Sequence, residues 1–312
     1  MNNNSPQDLD LTLIPQVKGK KGCHITKDLR GQIIIITGCS AGIGKETARI
    51  LAYMGATIIF ACREKNKALA VLEEIQKETK NPNLVFIQLD LSDLSSIKAF
   101  VEEFLSKYQK LDILINNAGV TIPERRLTKD GFELTFGTNH LGHFYLTTLL
   151  LDVLKKSGPS RIINVTSSMH GYGKMHWDDL MLEKGYGSYS AYNQSKLANV
   201  LFTRELQRRI DEKEIKVVSL HPGVIKTEVG REFNKWYHRV GMKMLSVFQK
   251  NALEGAQTSL YCALEEFERL KPGGYYVDCH VAEEASQAKK EDEMKRLWDV
   301  SEKLIEEKVK NF

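Results

Sequence analysis

The sequence predicts an α/β fold built on one doubly wound parallel sheet with helices on both faces. Three observations carry that prediction. Short β-branched apolar runs alternate with helical patterns of roughly 10 to 15 residues, which is the pattern of right-handed βαβ crossovers. The first run, Ile33 to Ile36, is apolar at every position, as a strand buried on both faces requires, and it ends in a glycine-rich turn. No internal repeat or low-complexity linker divides the 312 residues, so one domain fits better than two.

The elements follow in order. A helix is predicted from about Ile43 to Tyr53, a strand from Thr57 to Ala61, and a helix from Lys65 to Glu78. Pro82 follows that helix, and a strand from Leu84 to Leu89 comes next. A helix is expected from about Ser95 to Tyr108, a strand from Asp112 to Ile115, and a long helix near Asn139 to Lys155. A strand from Arg161 to Val165, a helix from about Tyr192 to Ile210 and a strand from Lys216 to Leu220 complete the alternation. A last strand is expected at Tyr275 to Val277. Residues 1–28 are polar and lysine-bearing and predict a flexible tail. Residues 29–285 form the expected dinucleotide-binding domain, and 286–312 a C-terminal helix around Met294, Leu297, Val300 and Leu304.

Composition excludes several classes. Hydrophobic residues are 42% and charged residues 27%, ordinary for a globular chain, so a collagen-like or wholly disordered chain is excluded. No run approaches the roughly 18 apolar residues of a spanning helix. The Asn-rich start, Met1 to Pro6, has no secretory signal pattern. A net charge of +4 is too small to argue for a nucleic-acid partner. The five cysteines, Cys23, Cys39, Cys62, Cys262 and Cys279, form no C-x-x-C pair and are expected as reduced thiols in the cytoplasm. His140, His143, His170 and His176 lack metal-ligand spacing, so no metal is expected.

The turn after the first strand reads Thr37-Gly38-Cys39-Ser40-Ala41-Gly42-Ile43-Gly44-Lys45. Glycines there let the backbone turn sharply and approach a pyrophosphate, and the next helix aims its free N–H groups at it. The second strand ends Ala61-Cys62-Arg63, with no acidic residue at its tip. A guanidinium there suits a 2′-phosphate, so NADP(H) is expected over NAD. Lys45 offers a second positive charge, and Glu64 a competing partner for Arg63. Tyr192 and Lys196 lie one helical turn apart and share a face. A neighbouring ammonium lowers the pKa of a phenol, and such a tyrosine exchanges a proton with a carbonyl or alcohol oxygen.

Together these motifs resemble the short-chain dehydrogenase/reductase family, whose fold is Rossmann-type. The resemblance rests on Thr37-Gly38-x-x-x-Gly42-Ile43-Gly44, Asp90-Leu91, Asn116-Asn117-Ala118-Gly119, Asn139, Ser167-Ser168, Tyr192-x-x-x-Lys196 and Pro222-Gly223, in the family's order. It implies Ser168 as the serine holding the substrate oxygen, with Ser167 facing away. It implies Asn139 as the anchor of a water relay from Lys196; satisfying buried backbone groups is an equally open role. It places Gly38, Ser40, Gly42, Ile43 and Gly44 on the pyrophosphate, and Asp90 and Leu91 near the adenine. Asp90 is also readable as an N-cap. Asn117, Ala118 and Gly119 would follow the adenosine ribose, Tyr192 and Lys196 the nicotinamide ribose, and Pro222, Gly223, Val224 and Thr227 the nicotinamide.

Within the family the words Lys45-Glu46-Thr47-Ala48, Asn139-His140-Leu141-Gly142-His143-Phe144 and Ser195-Lys196-Leu197-Ala198-Asn199 resemble the retinol dehydrogenase-like group. That implies an NADP(H)-dependent alcohol dehydrogenase or carbonyl reductase on a small apolar substrate: a retinoid, steroid or lipid aldehyde. A binding protein without turnover is the alternative. The sequence departs from many of that group in lacking an N-terminal membrane helix. Residues 226–250, apolar at helix spacing and rich in Lys and Arg, are readable as a substrate lid, a peripheral membrane contact or a core helix. A homodimer through a four-helix interface is a family expectation.

Overall fold

Eight strands form one sheet in the computed structural model, which describes residues 9–15, 17, 22–223 and 251–310. Their spatial order is β3-β2-β1-β4-β5-β6-β7-β8. The strands are β1 Ile33–Thr37, β2 Thr57–Cys62, β3 Leu84–Gln88, β4 Ile113–Asn116, β5 Ser160–Val165, β6 Ile215–His221, β7 Tyr275–Val277 and β8 His280–Ala282. The first seven run parallel, and only β8 is antiparallel. The strand order reverses direction at β1, so a crevice opens between the C-terminal ends of β1 and β4.

Strand alternation feeds two cores. Ile35, Leu114, Ile162 and Val217 face one helical layer, and their neighbours Ile34, Ile113, Ile163 and Val218 face the other. On one side lie α1 Gly42–Tyr53, α2 Lys65–Thr79 and α7 Ala252–Leu264. On the other lie α3 Leu94–Lys107, α5 Gly142–Ser157, α6 Ser188–Arg209 and α8 Glu291–Val309. A short turn of helix, α4 Leu134–Phe136, runs through a π-turn at Gly137–Leu141 into α5.

The caps are local chemistry. Asp93 accepts the free N–H groups of Ser95 and Ser96 and starts α3. The buried Glu133 carboxylate does the same for Thr135 and Phe136. Asn251 and Glu254 close a reciprocal capping box on α7, a helix the sequence reading did not predict.

One expectation needs correction. The stretch expected as a flexible tail is held in place where it is described. Leu11–Leu13 form a 3-10 turn, Ile14 is buried in the α1 layer, and the Cys23 N–H donates to Gln257 Oε1 at 2.9 Å. Apolar side chains in a polar stretch gave these residues something to bury. The C-terminal helix packs on the core. Trp298 sits in the aromatic cluster of Phe144 and Phe202 and lies under the Arg209 guanidinium. None of the five cysteines is in a disulfide. Among the described residues no helix is long and apolar enough to cross a membrane, and no cluster of metal-ligating side chains occurs.

Two histidines near the start of α5 are buried neutral. His140 packs among Phe136, Phe144 and Phe202, its Nε2 bonded to Ser301 Oγ at 2.9 Å, and burial pushes its pKa down to about 3. Burial pushes His143 down to about 4. Below pH 6.5 the unfolded chain protonates these groups before the native one does, so stability falls as the pH drops toward 4. Each histidine contributes about 1.4 kcal/mol per pH unit in that window. Urea midpoints at pH 7, 6 and 5 should decline, and less steeply in His140→Leu; equal slopes in the two proteins would refute this origin.

Candidate active site

The first half of the site is made of backbone. Gly38, at φ +68°, would place a Cβ 2.9 Å from Ala118 Cβ. A Cβ on Gly44 would lie 2.5 Å from Asn117 Nδ2 and 2.6 Å from the Gly38 carbonyl oxygen. Only glycine allows the turns after β1 and β4 to touch there. Gly42, at φ +55°, has nothing within 4 Å of its ideal Cβ and opens onto a cleft. That cleft, of about 460 Å³, is lined by Gly38, Ser40, Gly42, Ile43, Gly44, Arg63, Asp90, Leu91, Asn117, Ala118 and Gly119, all predicted for it. The start of α1 supplies unpaired N–H groups and a positive dipole end. Such a cradle fits the pyrophosphate of a dinucleotide.

At the far end of the cleft the charges separate. Arg63 is exposed and lies 3.7 Å from Glu64, an exposed pair worth little and easily exchanged for another anion. Lys45 does not join it: Glu74 of α2 holds its Nζ at 2.7 and 2.8 Å. Asp90 is not an N-cap. Its Oδ1 accepts from Ser92 N–H at 2.9 Å and Ser92 O–H at 2.6 Å, while Asp93 caps α3.

The second half sits on α6 and the end of β5. Lys196 is 3% exposed, its Nζ donates to the Val165 carbonyl at 3.0 Å, and it lies 5.6 Å from the centre of the Tyr192 ring. Burial with no carboxylate partner pushes its pKa down to about 8. Burial raises the half-buried Tyr192 phenol, against the expected lowering, while a hydrogen bond from Ser167 pulls it back.

Of the two serines, Ser167 is half-buried on the side of Tyr192, whereas Ser168, the one expected, is exposed and opens the 3-10 turn Ser168–Tyr172. β5 ends at Val165, so pleat alternation does not govern these positions. His170 fixes the Ser167 backbone. Its Nε2 accepts from the Ala285 N–H at 3.1 Å, so the proton is assigned to Nδ1, which donates to the Ser167 carbonyl at 2.7 Å.

A buried hydrogen-bond chain joins the two halves. Thr37 Oγ1 accepts from the N–H groups of Asn117 at 2.9 Å and Ala118 at 3.0 Å. Its own proton goes to His143 Nε2 at 2.9 Å, which leaves His143 Nδ1 to donate to the Asn139 carbonyl at 3.1 Å. Asn139 uses both amide protons, on the Val120 carbonyl at 2.9 Å and Ser195 Oγ at 3.0 Å. Ser195 donates in turn to the Tyr192 carbonyl at 2.8 Å. The Asn139 amide therefore satisfies buried groups, and a relayed water has only its oxygen atoms to meet. Thr37 and His143 were not among the expected site residues; a threonine directly before the first glycine was the available signal.

Pro222 and Gly223 follow β6, with Gly223 at φ +96°. Val224, Thr227 and the expected lid, 226–250, lie outside the described residues.

Comparison with known proteins places this geometry. Residues 32–238 match the family model described as short chain dehydrogenase. The chain is 46% identical to human retinol dehydrogenase 11 over 285 residues, 91% of this chain and 88% of that one. It is 40% identical to mouse retinol dehydrogenase 14, covering 89% of this chain and 86% of the other. Among solved structures, an uncharacterised protein of Mycobacterium paratuberculosis aligns with a TM-score of 0.73 and 32% identity, over 90% of this chain and 95% of that one. A short chain dehydrogenase of Shigella flexneri complexed with NADP shares the fold at a TM-score of 0.63 and 23% identity, over 81% and 99% of the two chains. The chain thus belongs to the short chain dehydrogenase family of oxidoreductases, in the branch of the retinol dehydrogenases.

Proposed function

We propose that the protein is an NADP(H)-dependent oxidoreductase interconverting an alcohol and a carbonyl on an apolar substrate such as a retinoid, steroid or lipid aldehyde. The observation that carries this reading is the meeting of Ser167, Tyr192 and Lys196 beside a glycine-built phosphate cleft. The retinol dehydrogenase relatives support the substrate class. So do two exposed aromatic rings, Tyr172 and Tyr189, which flank Ser167 and Tyr192 in sequence. Arg63, held only by an exposed glutamate, supports NADP(H) over NAD(H), as does the NADP complex of the Shigella protein.

When bound, the nicotinamide supplies the hydride that the carbonyl carbon takes up, or accepts it from the alcohol. Tyr192 gives its phenolic proton to the carbonyl oxygen in reduction, and takes it back in oxidation. The Ser167 hydroxyl donates to the same oxygen and holds it as negative charge develops. The Lys196 ammonium stabilises the phenolate that Tyr192 leaves behind, and its position on the Val165 carbonyl keeps it in reach. Asn139 positions α6 through Ser195.

Three outcomes test the reading. Tyr192→Phe should lower kcat by roughly 10²- to 10⁴-fold, and Ser167→Ala by about 10²-fold or more, with NADPH affinity retained in both. Ser168→Ala should stay within about twofold of wild type by the same criterion. Full turnover of Tyr192→Phe would remove Tyr192 from the proton transfer, and NADPH binding by the wild-type protein without turnover of any carbonyl would leave the rival reading, a binding protein without turnover. Arg63→Gln removes a charge-assisted pair worth about 1.5–3 kcal/mol, so NADPH should bind roughly tenfold or more weaker while NADH is unchanged. Equal losses for both cofactors in a fluorescence titration would exclude a 2′-phosphate role. With Lys196 titrating at about 8 and the phenol raised, carbonyl reduction needs the protonated site and should fall as the pH rises above 8. Alcohol oxidation should rise over the same range, and initial rates in both directions from pH 6 to 10 check this.

A further inference from the structure

Two cysteines stand at the far end of the cleft, and the reaction uses neither. Cys39 belongs to the glycine turn after β1, and Cys62 ends β2 and lines the cleft. Their sulfur atoms are 3.6 Å apart. The backbone fixes that approach: Thr37 pairs with Ala61 in the parallel register, and the Gly38 N–H donates to the Ala61 carbonyl at 3.0 Å. A disulfide needs the sulfurs at about 2.05 Å, so the two must close by about 1.5 Å.

The surroundings of the two sulfurs differ. Cys39 is fully buried and its Sγ donates to the Ile36 carbonyl at 3.3 Å, whereas Cys62 reaches the cleft. Contact with Cys39 and Ser40 holds the Cys62 pKa below the ordinary thiol value despite burial. Burial drives Cys39 and Cys262 well up, and Cys23 to about 11. Cys62, the thiol that faces the cleft, is therefore the one an oxidant meets first, and Cys39 its resolving partner.

We propose that Cys39 and Cys62 form a reversible disulfide that opposes cofactor binding at the adenosine end of the cleft. The oxidant is a small hydroperoxide, hydrogen peroxide being the simplest. The Cys62 thiolate attacks one peroxide oxygen, the O–O bond breaks, and hydroxide leaves and is protonated to water. Cys62 is then a sulfenic acid. The Cys39 sulfur attacks Cys62 Sγ, the S–S bond forms, the S–O bond breaks, and the leaving hydroxide departs as water with the Cys39 proton. Two thiols lose two electrons, and one peroxide becomes two waters. The disulfide ties the glycine turn to the end of β2. Ser40, Gly42 and Arg63 line the same cleft, so the tie acts on the cofactor's seat. The opposing effect rests on the NADP(H) reading above; the disulfide itself does not.

The full-length protein is treated with hydrogen peroxide and mapped by mass spectrometry after alkylation, with and without NADPH. A Cys39–Cys62 cross-linked peptide that dithiothreitol removes is the expected result. NADPH should slow its formation at least fivefold, because the cofactor covers Cys62. Cys39→Ala should stop at a sulfenic acid on Cys62 that dimedone traps. The oxidised protein should bind NADPH at least tenfold more weakly, with recovery on reduction. Cys39 and Cys62 both remaining alkylatable would overturn the proposal, as would dimedone labelling of Cys39→Ala at other cysteines only. A disulfide that leaves NADPH affinity unchanged would overturn its opposing role. If the reduced protein itself fails to bind NADPH while the disulfide still forms, it is the cofactor reading that fails.

Discussion

One buried hydroxyl organises the site. Thr37 Oγ1 is wholly inside the protein at the C-terminal end of β1, where it accepts two backbone N–H groups from the turn after β4. Those two bonds draw the β1 and β4 turns together, and the glycines at positions 38 and 44 are what let them meet. With both acceptor positions taken, the hydroxyl's one proton is committed to His143, and His143 is thereby committed to the Asn139 carbonyl. Direction is thus passed from the phosphate cradle through Asn139 and Ser195 to the backbone of Tyr192. Replacing any member leaves a buried donor or acceptor unsatisfied, which costs about 1–3 kcal/mol and loosens both halves at once.

Such a chain works only if its histidine stays neutral. A second proton on His143 would face the Thr37 hydroxyl with a donor where an acceptor is needed. Burial, and the nearby Lys196 charge, keep that proton away until a pH of about 4. The same burial acts on Lys196 in the opposite functional sense. It makes the ammonium costly, so the lysine holds its proton only weakly beyond pH 8, and the site depends on the charge it carries below that. Low dielectric therefore stabilises the scaffold's neutral groups and sharpens the response of the proposed proton donor with one physical effect.

The fold was legible because its signal is long-range periodicity. β1, β2 and β4 to β6 are apolar runs with no competing reading, and the turn glycines mark where the sheet exposes its C-terminal edge. The site was legible as far as backbone geometry extends, which is why the glycine turn after β1 and the turn after β4 line one cleft, as expected. The choice between Ser167 and Ser168 is not legible, because β5 ends at Val165 and the direction of a side chain in a turn depends on tertiary contacts. Lys45 was overrated because its partner Glu74 lies 29 residues away on another helix, a pairing no local pattern announces. Helix α7 was overlooked although Asn251 and Glu254 spell a capping box, and β8 is too short for any periodicity to show.

The division of labour between backbone and side chains explains what is general in this site and what is particular. A cleft made from glycines, helix N–H groups and a threonine knot grips a phosphate whatever else the ligand carries. Such parts constrain the chain at few positions and leave the remainder free to vary. In the proposed reading, discrimination falls to the few side chains at the rim: Arg63 at one end, and the aromatic residues around Ser167 and Tyr192 at the other. The Cys39–Cys62 pair lies between those regimes. One sulfur belongs to the phosphate turn and the other to the strand that presents Arg63, so a bond between them would couple the general part of the site to the particular one.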